Sequence, residues 1–243
     1  MAADAYEEFS ERYDWMSQED PLRTAFFRKL FGEYNVHKVL DCACGTGSDL
    51  LMFHSMNLDT YGSDLSESML AQAQKKTANT NIELQKADFC YLPDAYSDKF
   101  DAIVCLNNSI NEVLKDSATL RALRSMRSVL ETGGLLVIDQ GQSDASMRTP
   151  PRFAPIVNNR DFTRLFAMDY SPRIMTVSIF DFIHTGDEFD FKHHTVRIRI
   201  RLLDSWSDIL REAGFGEVDF YGDWTFTRYD KEISKRLIAV ARK

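Results

Sequence analysis

The sequence has few cysteines, no long apolar run and no excess of basic residues. Its four cysteines, Cys42, Cys44, Cys90 and Cys105, lack metal-ligand spacing, so we expect free thiols in a reducing cytoplasm and no metal site. No stretch reaches the roughly 18 apolar residues of a membrane span, and the acidic N-terminus lacks the apolar core of a signal peptide. A net charge of −8 disfavours a nucleic-acid partner, because phosphate binding needs a basic surface. We therefore expect a cytoplasmic protein without a membrane or nucleic-acid partner.

Strand-like and helix-like segments alternate through the first half of the chain. KVLDCAC at 38–44 is the first of five predicted strands and GGLLVIDQ at 133–140 is the last. Helices are predicted over about 22–31, 66–76 and 117–130, the second beginning at a serine cap. This alternation is typical of a parallel sheet that is covered by helices on both faces.

The pattern changes between residues 161 and 202, where three β-rich stretches follow one another. TGDEFD supplies the turn between the last two, which predicts an antiparallel insert. An amphipathic helix and two strands close the chain. We therefore predict one α/β domain, with a Rossmann-like, doubly wound, mostly parallel seven-stranded sheet and an antiparallel β insert that serves as a lid. Its predicted parts are an N-terminal helical cap (1–35), a cofactor-binding core (36–140), a β-rich substrate and lid insert (141–203) and the C-terminal helix and strands (204–243).

A glycine loop, DCACGTG at 41–47, ends the first predicted strand and opens a helix. Its small residues let the backbone approach a ligand closely, and Gly45 and Gly47 tolerate unusual dihedral angles. Asp64 ends the second strand, where its carboxylate can accept hydrogen bonds from ribose hydroxyls. Asp88 ends the third strand at the same crevice. Together these positions predict a nucleoside ligand with a cis-diol.

A dinucleotide is the competing ligand for this loop. The dinucleotide fingerprint needs a third glycine, and Leu50 occupies that position. No phosphate-binding lysine follows the loop, which excludes a P-loop. A ligand without phosphates therefore fits better, while the glycine pair alone would also suit a tight turn without any ligand.

Four segments resemble the motifs of class I S-adenosylmethionine-dependent methyltransferases. VLDCACGTG resembles the first motif, YGSDLSESML the second, QKADF the third and FDAIVCLNNSINEV the fourth. The resemblance covers roughly residues 22–243 and implies S-adenosylmethionine as the cofactor, with S-adenosylhomocysteine as the product. It places Asp64 on the ribose, and Asp88 and Phe89 beside the adenine. The cofactor-binding residues that it implies are Tyr13, Arg23, Asp41, Ala43, Gly45, Gly47, Asp64, Leu65, Met69, Asp88, Phe89, Leu106 and Asn107.

The sequence is more closely similar to glycine and sarcosine N-methyltransferases, with aminosugar N-methyltransferases as cousins. The supporting segments are RTA at 23–25, ACGTGSD at 43–49 and VCLNNS at 104–109. In that family the arginine of the RTA segment grips the carboxylate of the cofactor, and Arg23 occupies its place. The alternative for Arg23 is a solvated charge on a helix face. Asn108 matches the asparagine that contacts the amino-acid substrate.

The resemblance also implies an arginine in the insert for the substrate carboxylate. Arg173 is the nearest match, and the competing candidates are Arg160, Arg164, Arg197, Arg199 and Arg201. The last three alternate along one strand, so they share a face, and we interpret that face as solvated.

Glu112 departs from the family pattern, which has a histidine four residues after the substrate asparagine. A carboxylate there would favour a cationic amine or accept a proton, and the alternative is an ordinary exposed glutamate. Tyr13 could face the active site and Trp224 could line the pocket. The candidates for catalysis are thus Asn108, Glu112 and Tyr13, and those for substrate binding are Asn108, Arg173 and Trp224. His184, His193 and His194 are further proton acceptors, although packing is the commoner role of such histidines.

The sequence predicts an enzyme that moves a methyl group from S-adenosylmethionine to a small molecule. The predicted acceptor is the amine nitrogen of an amino acid or small amine, similar to glycine or sarcosine. The alternatives are small-molecule O-methylation, aminosugar N-methylation and a non-catalytic protein that binds S-adenosylmethionine. The insert and the N-terminal segment could reach a neighbouring subunit, so a homo-oligomer stays open.

Overall fold

Two β-sheets organise the chain in the computed structural model, which describes residue 4 and residues 6–16, 20–186 and 188–243. One sheet has seven strands and the other has four. The strands of the larger sheet are β1 (Lys38–Asp41), β2 (Asp59–Asp64), β3 (Glu83–Lys86), β4 (Phe100–Cys105), β5 (Leu130–Gln140), β10 (Glu217–Tyr221) and β11 (Leu237–Arg242). Those of the smaller sheet are β6 (Phe153–Asn158), β7 (Phe162–Tyr170), β8 (Ile174–Thr185) and β9 (Glu188–Arg199).

Helices connect most strands of the larger sheet. The α-helices are α1 (Pro21–Glu33), α2 (Ser48–His54), α3 (Glu67–Thr77), α4 (Leu92–Ala95), α5 (Asp116–Ser128) and α6 (Leu203–Glu212). Short 3₁₀ helices cover Ser10–Met16, Phe89–Tyr91 and Ser109–Glu112. No helix of the described ranges combines the length and apolarity that crossing a bilayer requires.

The larger sheet runs in the order β10-β11-β5-β4-β1-β2-β3. Strands β1 to β5 pair in parallel, and β11 runs antiparallel to both β5 and β10. The strand order reverses between β1 and β4, and in such sheets ligands bind at the carboxyl ends of the strands beside this reversal. The predicted Rossmann-like fold with an antiparallel β insert is confirmed.

Apolar side chains cover both faces of the larger sheet. On one face, Leu123 and Trp206 of α5 and α6 pack against a buried cluster that includes Ile103. On the other face, Phe27 of α1 packs in a second cluster with Val104. The central strands β1, β4 and β5 are therefore buried from both sides, which leaves their ends for a ligand.

Helix α1 begins where the sequence supplies a strong start signal. The Asp20 side chain accepts hydrogen bonds from the amides of Leu22 and Arg23, at 3.0 and 3.4 Å, and Pro21 occupies the first turn. This cap fixes the orientation of Arg23 at the start of the helix. The prediction of a helix over 22–31 is correct apart from one or two residues at each end.

Two details of the sequence-based prediction are wrong, the end of one helix and the number of strands in the insert. The helix predicted to reach residue 130 ends at Ser128, because Leu130 already pairs with Phe100 in the sheet and the register then shifts before Ala102. The insert contains a fourth strand, β6, which the sequence pattern missed. Pro155 in β6 is a residue that disfavours strands, but β6 is the edge of its sheet, where a missing amide donor is tolerated.

Candidate active site

The glycine loop follows β1 at the carboxyl edge of the sheet. Asp41 is 1% exposed and its carboxylate accepts a hydrogen bond of 3.1 Å from the Ala43 amide. Gly45 and Gly47 have φ of +52° and +84°, a region that side chains other than glycine rarely adopt. A Cβ on Gly47 would lie 3.2 Å from the Ala73 Cβ, whereas one on Gly45 would meet nothing within 4 Å. The loop thus packs on α3 at Gly47 and borders open space at Gly45.

Asp64 ties the end of β2 to this loop. Its Oδ2 accepts a hydrogen bond of 2.9 Å from the Gly45 amide, and its Oδ1 accepts one of 2.9 Å from the Ser66 amide. Burial raises the pKa of Asp64, against the opposing effect of these backbone donors. Each carboxylate oxygen keeps a free lone pair, so Asp64 can accept further hydrogen bonds from hydroxyl groups.

The neighbouring positions of the predicted site follow β2 and β3. Leu65 is 62% exposed beside Asp64, while Met69 is buried in α3. Asp88 accepts a hydrogen bond of 2.8 Å from the Cys90 amide and thereby caps the 3₁₀ helix that contains the half-buried Phe89. Leu65 and Phe89 are thus apolar groups at the same edge that a flat ring could cover.

Arg23 lies beside the carboxylates of Asp41 and Asp49, which form the floor of the site. Its Nη2 donates to Asp49 Oδ2 at 2.6 Å, and its side chain is only 17% exposed. Its Nε is buried without a hydrogen-bond partner. The alternative of a solvated helix-face charge is therefore wrong, because α1 turns this position toward α2.

A second arginine pairs with a buried aspartate that the sequence analysis missed. Asp139 is fully buried near the end of β5, where it forms an ion pair with Arg236 and accepts a hydrogen bond from the Asn107 amide at 3.2 Å. Trp224 lies 5.4 Å from both the Arg23 and the Arg236 guanidinium and packs on Phe26. Asp139 could have been found by the argument used for Asp64, because it also stands at the end of a predicted strand.

Carboxylates outnumber guanidinium groups at this floor. Burial, and then the charge of Asp49, raise the pKa of Asp41 well above its usual range. Burial also raises the pKa of Asp49, although Arg23 opposes this. An added positive charge here would therefore favour the ionised forms of both carboxyl groups.

The N-terminal segment, residues 4 and 6–16, lies across this site. At one end, the Asp4 carboxylate accepts hydrogen bonds from the Ser66 hydroxyl at 3.0 Å and the Ser68 amide at 2.9 Å. At the other end, Asp14 accepts from Thr46 Oγ1 at 2.6 Å and from Lys76 Nζ at 2.7 Å. The segment is thus fastened to both ligand-facing loops, those after β1 and β2.

Two tyrosines of this segment reach toward the 3₁₀ helix that follows β4. The Tyr6 hydroxyl donates to Glu112 Oε1 at 2.5 Å. Burial raises the pKa of Tyr13, and the next largest causes are the charges of Glu112, Asp49 and Asp64. The charges of these carboxylates thus act on Tyr13, and its role in the active site stays a prediction.

Asn108 and Glu112 stand at the two ends of that 3₁₀ helix. Asn107 and Asn108 both have positive φ, of +55° and +68°, and the buried Leu106 precedes them. Asn108 Oδ1 accepts a hydrogen bond of 3.1 Å from the Gly141 amide, which ties the ends of β4 and β5 together. Consecutive left-handed residues other than glycine carry strain, and such strain concentrates at functional sites.

The arginines of the insert do not behave as one group. Arg164 is fully buried and donates to both oxygens of Asp181 at 2.7 Å. Arg199 and Arg201 pair with Asp116, so the interpretation of their shared face as solvated is wrong. The reason is that α5 places Asp116 against the end of β9. Among the candidate substrate-binding arginines, Arg160, Arg173 and Arg197 are exposed, so the interpretation as solvated is correct for Arg197.

The histidines of the insert pack against aromatic rings. His194 stacks on Phe9 with a centroid distance of 5.0 Å, and His193 stacks on Phe180 at 4.8 Å. Burial lowers the pKa of His194. His184 is exposed near the far end of β8. Among the residues that the structure describes, no cluster of three or more His, Cys, Asp or Glu could hold a metal ion.

Comparison with known proteins identifies the fold and the relatives of this chain. Residues 39–134 match the family described as a methyltransferase domain. A glycine/sarcosine N-methyltransferase of Parasynechococcus marenigrum is 32% identical over 148 residues, which are 57% of this chain and 51% of that protein. The chain spans about half the length of the curated glycine N-methyltransferases that it matches.

Two solved structures share the fold over nearly the whole chain. An S-adenosylmethionine-dependent methyltransferase from Clostridium acetobutylicum has a TM-score of 0.84 at 18% identity, with 98% of each chain covered. A sugar N-methyltransferase from Streptoalloteichus has a TM-score of 0.79 at 22% identity and covers 100% of this chain and 96% of its own. The chain therefore contains a match to a methyltransferase domain and has the fold of S-adenosylmethionine-dependent methyltransferases, and its sequence resembles the glycine/sarcosine N-methyltransferases.

Proposed function

We propose that the chain binds S-adenosylmethionine at the carboxyl edge of the larger sheet and transfers its methyl group to the amine nitrogen of a small molecule. The predicted acceptors are glycine-like or sarcosine-like amino acids and small amines. The observation that carries the proposal is the buried, unpartnered Nε of Arg23, which stands beside a floor rich in carboxylates.

The residues of the floor fit the amino-acid end of this cofactor. Arg23 Nε is a donor that lacks an acceptor, and a carboxylate can supply one. Burial raises the pKa of Asp41 and of Asp49, and a bound ammonium group would favour their ionised forms. Asp64 holds free lone pairs for the ribose hydroxyls, and Leu65 and Phe89 offer apolar surface for the adenine.

S-adenosylmethionine supplies a methyl group on a positively charged sulfur, which is already activated for transfer. The protein's task is to align the acceptor nitrogen, to exclude water and to accept a proton from the amine. The N-terminal segment covers the site through the contacts of Asp4 and Asp14 with its loops. Asn108 and Glu112 border the acceptor side, where Glu112 can accept a proton.

Calorimetric titration with S-adenosylhomocysteine, with NAD as the control, tests the cofactor. We expect S-adenosylhomocysteine to bind. We expect no binding of NAD, because Leu50 replaces the third glycine of the dinucleotide loop. A methyl-transfer screen over small amines, beginning with glycine and sarcosine, then tests the activity. NAD binding, or no binding of either ligand, would contradict the proposal.

An aminosugar is the second candidate acceptor, because a sugar N-methyltransferase shares this fold over the whole chain. The same screen distinguishes it from an amino acid. If no amine is methylated in this screen, the alternatives that remain are small-molecule O-methylation and a non-catalytic role. The roles of Arg173 and Trp224 as substrate ligands stay predictions. The division of the chain into parts, the homo-oligomer and the cytoplasmic location also stay predictions.

A further inference from the structure

We propose that Glu112 and Tyr6 form the acceptor subsite and select an amine that carries no carboxylate, with Glu112 taking the proton from its ammonium group. This inference rests on the proposed methyl transfer to an amine and names the class of acceptor. It excludes glycine-like and sarcosine-like acceptors, which carry a carboxylate beside the amine, and keeps the small amines.

The first observation is the position of the Glu112 carboxyl group. It is reached by solvent, yet burial among protein atoms raises its pKa, with a further contribution from Asp64. Glu112 ends the short 3₁₀ helix that follows Asn108, at the edge of the sheet where β4 ends. Its carboxyl group is therefore on the acceptor side of the cofactor residues.

The second observation is that Tyr6 orients this carboxyl group. The Tyr6 hydroxyl donates to Glu112 Oε1, while Oε2 makes no hydrogen bond with any residue that the structure describes. One oxygen is thus held in place and the other is available to a ligand. An ammonium group satisfies such an oxygen well, because a charge-assisted hydrogen bond is about twice as strong as a neutral one.

The third observation concerns the positively charged side chains near Glu112. The segments after β4 and β5, residues 106–114 and 139–147, contain neither lysine nor arginine. Arg12 is engaged with Asp181 and the Glu8 carbonyl. Arg201 donates to Asp116 and Thr119, and only its Nε is buried without a partner in the described part of the chain. An acceptor carboxylate beside Glu112 would meet like charge without a cation to offset it.

Arg164 is the strongest argument for an amino-acid acceptor. Its Nη1 is buried without a partner. Asp181 nevertheless takes both its Nε and Nη2, and the Phe9 ring lies 4.5 Å from its Cζ. Its charge is therefore already balanced by a buried aspartate, so a second carboxylate would gain little.

The chemical step balances without any further reactant. The Glu112 carboxylate accepts a proton from the ammonium group of the acceptor, which leaves a neutral amine with a free lone pair. That nitrogen forms a bond to the methyl carbon as the carbon–sulfur bond breaks, and the bonding electrons stay on sulfur as a thioether. Glu112 then releases its proton to solvent.

Binding to the complex with S-adenosylhomocysteine tests the selection. Glycinamide and glycine differ in the amide that replaces the carboxylate, and both carry an ammonium group near neutral pH. We expect glycinamide to bind at least about 10-fold more tightly, because like charge is removed. Glycine binding as tightly as glycinamide, or neither amine binding, overturns the inference. Failure of S-adenosylhomocysteine itself to bind is a different result, which overturns the proposed function.

Substitution of Glu112 tests its role in the same assay. We expect Glu112→Gln to weaken glycinamide at least about 10-fold while the affinity for S-adenosylhomocysteine changes less than about 2-fold. Glu83→Gln, at an exposed position on β3, is the matched control and should change neither. Unchanged glycinamide affinity in Glu112→Gln overturns the inference.

Tyr6 is a positioning residue, and a pH profile distinguishes this from a packing role. Its hydrogen bond lowers the pKa of Glu112, so Tyr6→Phe should move the acidic limb of kcat/KM for glycinamide to higher pH. A uniform loss of rate without a shift of this limb would indicate packing alone and would contradict the assigned role.

Discussion

Asp64 Oδ2 accepts a hydrogen bond of 2.9 Å from the Gly45 amide, so the ends of β2 and β1 are joined through a ligand-facing loop. The same carboxylate thus serves the protein and, in the proposed function, the ribose. This double role makes Asp64 the most sensitive position of the cofactor site.

We expect Asp64→Ala to lower the affinity for S-adenosylhomocysteine by about 10-fold to 100-fold, since hydrogen bonds to a charged group contribute about 1.5–3 kcal/mol. Calorimetric titration measures it. Asp59→Asn, at the exposed start of the same strand, is the control and should bind normally. Near-normal affinity of Asp64→Ala would show that the ribose is placed wrongly.

Arg23 is tested by replacing its guanidinium group with a neutral, shorter amide. Arg23→Gln should weaken S-adenosylhomocysteine at least about 10-fold, because the buried Nε loses its role as a donor to the carboxylate of the ligand. Arg28→Gln, at an exposed position on the same helix, is the matched control. Equal affinities in the two variants would leave Arg23 with a structural role through Asp49.

Asp14 fastens the N-terminal segment to the glycine loop, and its removal should speed ligand release. We expect Asp14→Asn to increase the dissociation rate of S-adenosylhomocysteine by about 3-fold to 10-fold, because it weakens the contacts with Thr46 and Lys76. Stopped-flow displacement measures this rate. Glu11→Gln, at an exposed position on the same 3₁₀ helix, should release the ligand at the normal rate. An unchanged rate in Asp14→Asn would mean that the segment does not limit release.

Asp41 should make the ligand-free protein less stable as the pH rises. Its raised pKa means that the folded chain holds a proton that the unfolded chain has already lost, so the free energy of unfolding falls between the ordinary pKa of 3.8 and the raised value. Asp41→Asn removes this contribution. We expect the stability of Asp41→Asn relative to the parent protein to increase with pH through that window.

Urea denaturation from about pH 4.5 to 8 measures this difference between Asp41→Asn and the parent protein. The comparison is needed because the raised pKa values of Asp49 and Asp64 also lower the free energy of unfolding as the pH rises. A difference that is constant with pH would show that Asp41 is ionised normally. The same variant should bind S-adenosylhomocysteine more weakly, because it lacks the anionic oxygen.

The sequence predicted where the glycine loop and the strand-end aspartates lie, because local rules govern these positions. Asp41 and Asp64 end apolar strands, and parallel strands bring their carboxyl ends to one edge. The glycine spacing and the serine cap of α3 are also local signals. These positions need no knowledge of how distant elements pack.

The acceptor side depends on contacts that spacing does not reveal. Tyr6 and Glu112 are 106 positions apart, and the aromatic spacing around Tyr6 by itself indicates only packing. Arg199 and Arg201 share a face as alternation requires, but α5 decides that this face is buried against Asp116. Such pairings come from tertiary packing, which overrides the local pattern.

The attachment of the N-terminal segment to both loops has a consequence for the order in which ligands would bind. Tyr6 belongs to the same short segment as Asp4 and Asp14, which grip the loops around the nucleoside position. In the proposed function, an acceptor subsite that contains Tyr6 is complete only while this segment lies over the cofactor position. The proposal thus implies an ordered cycle, in which the methyl donor binds before the acceptor.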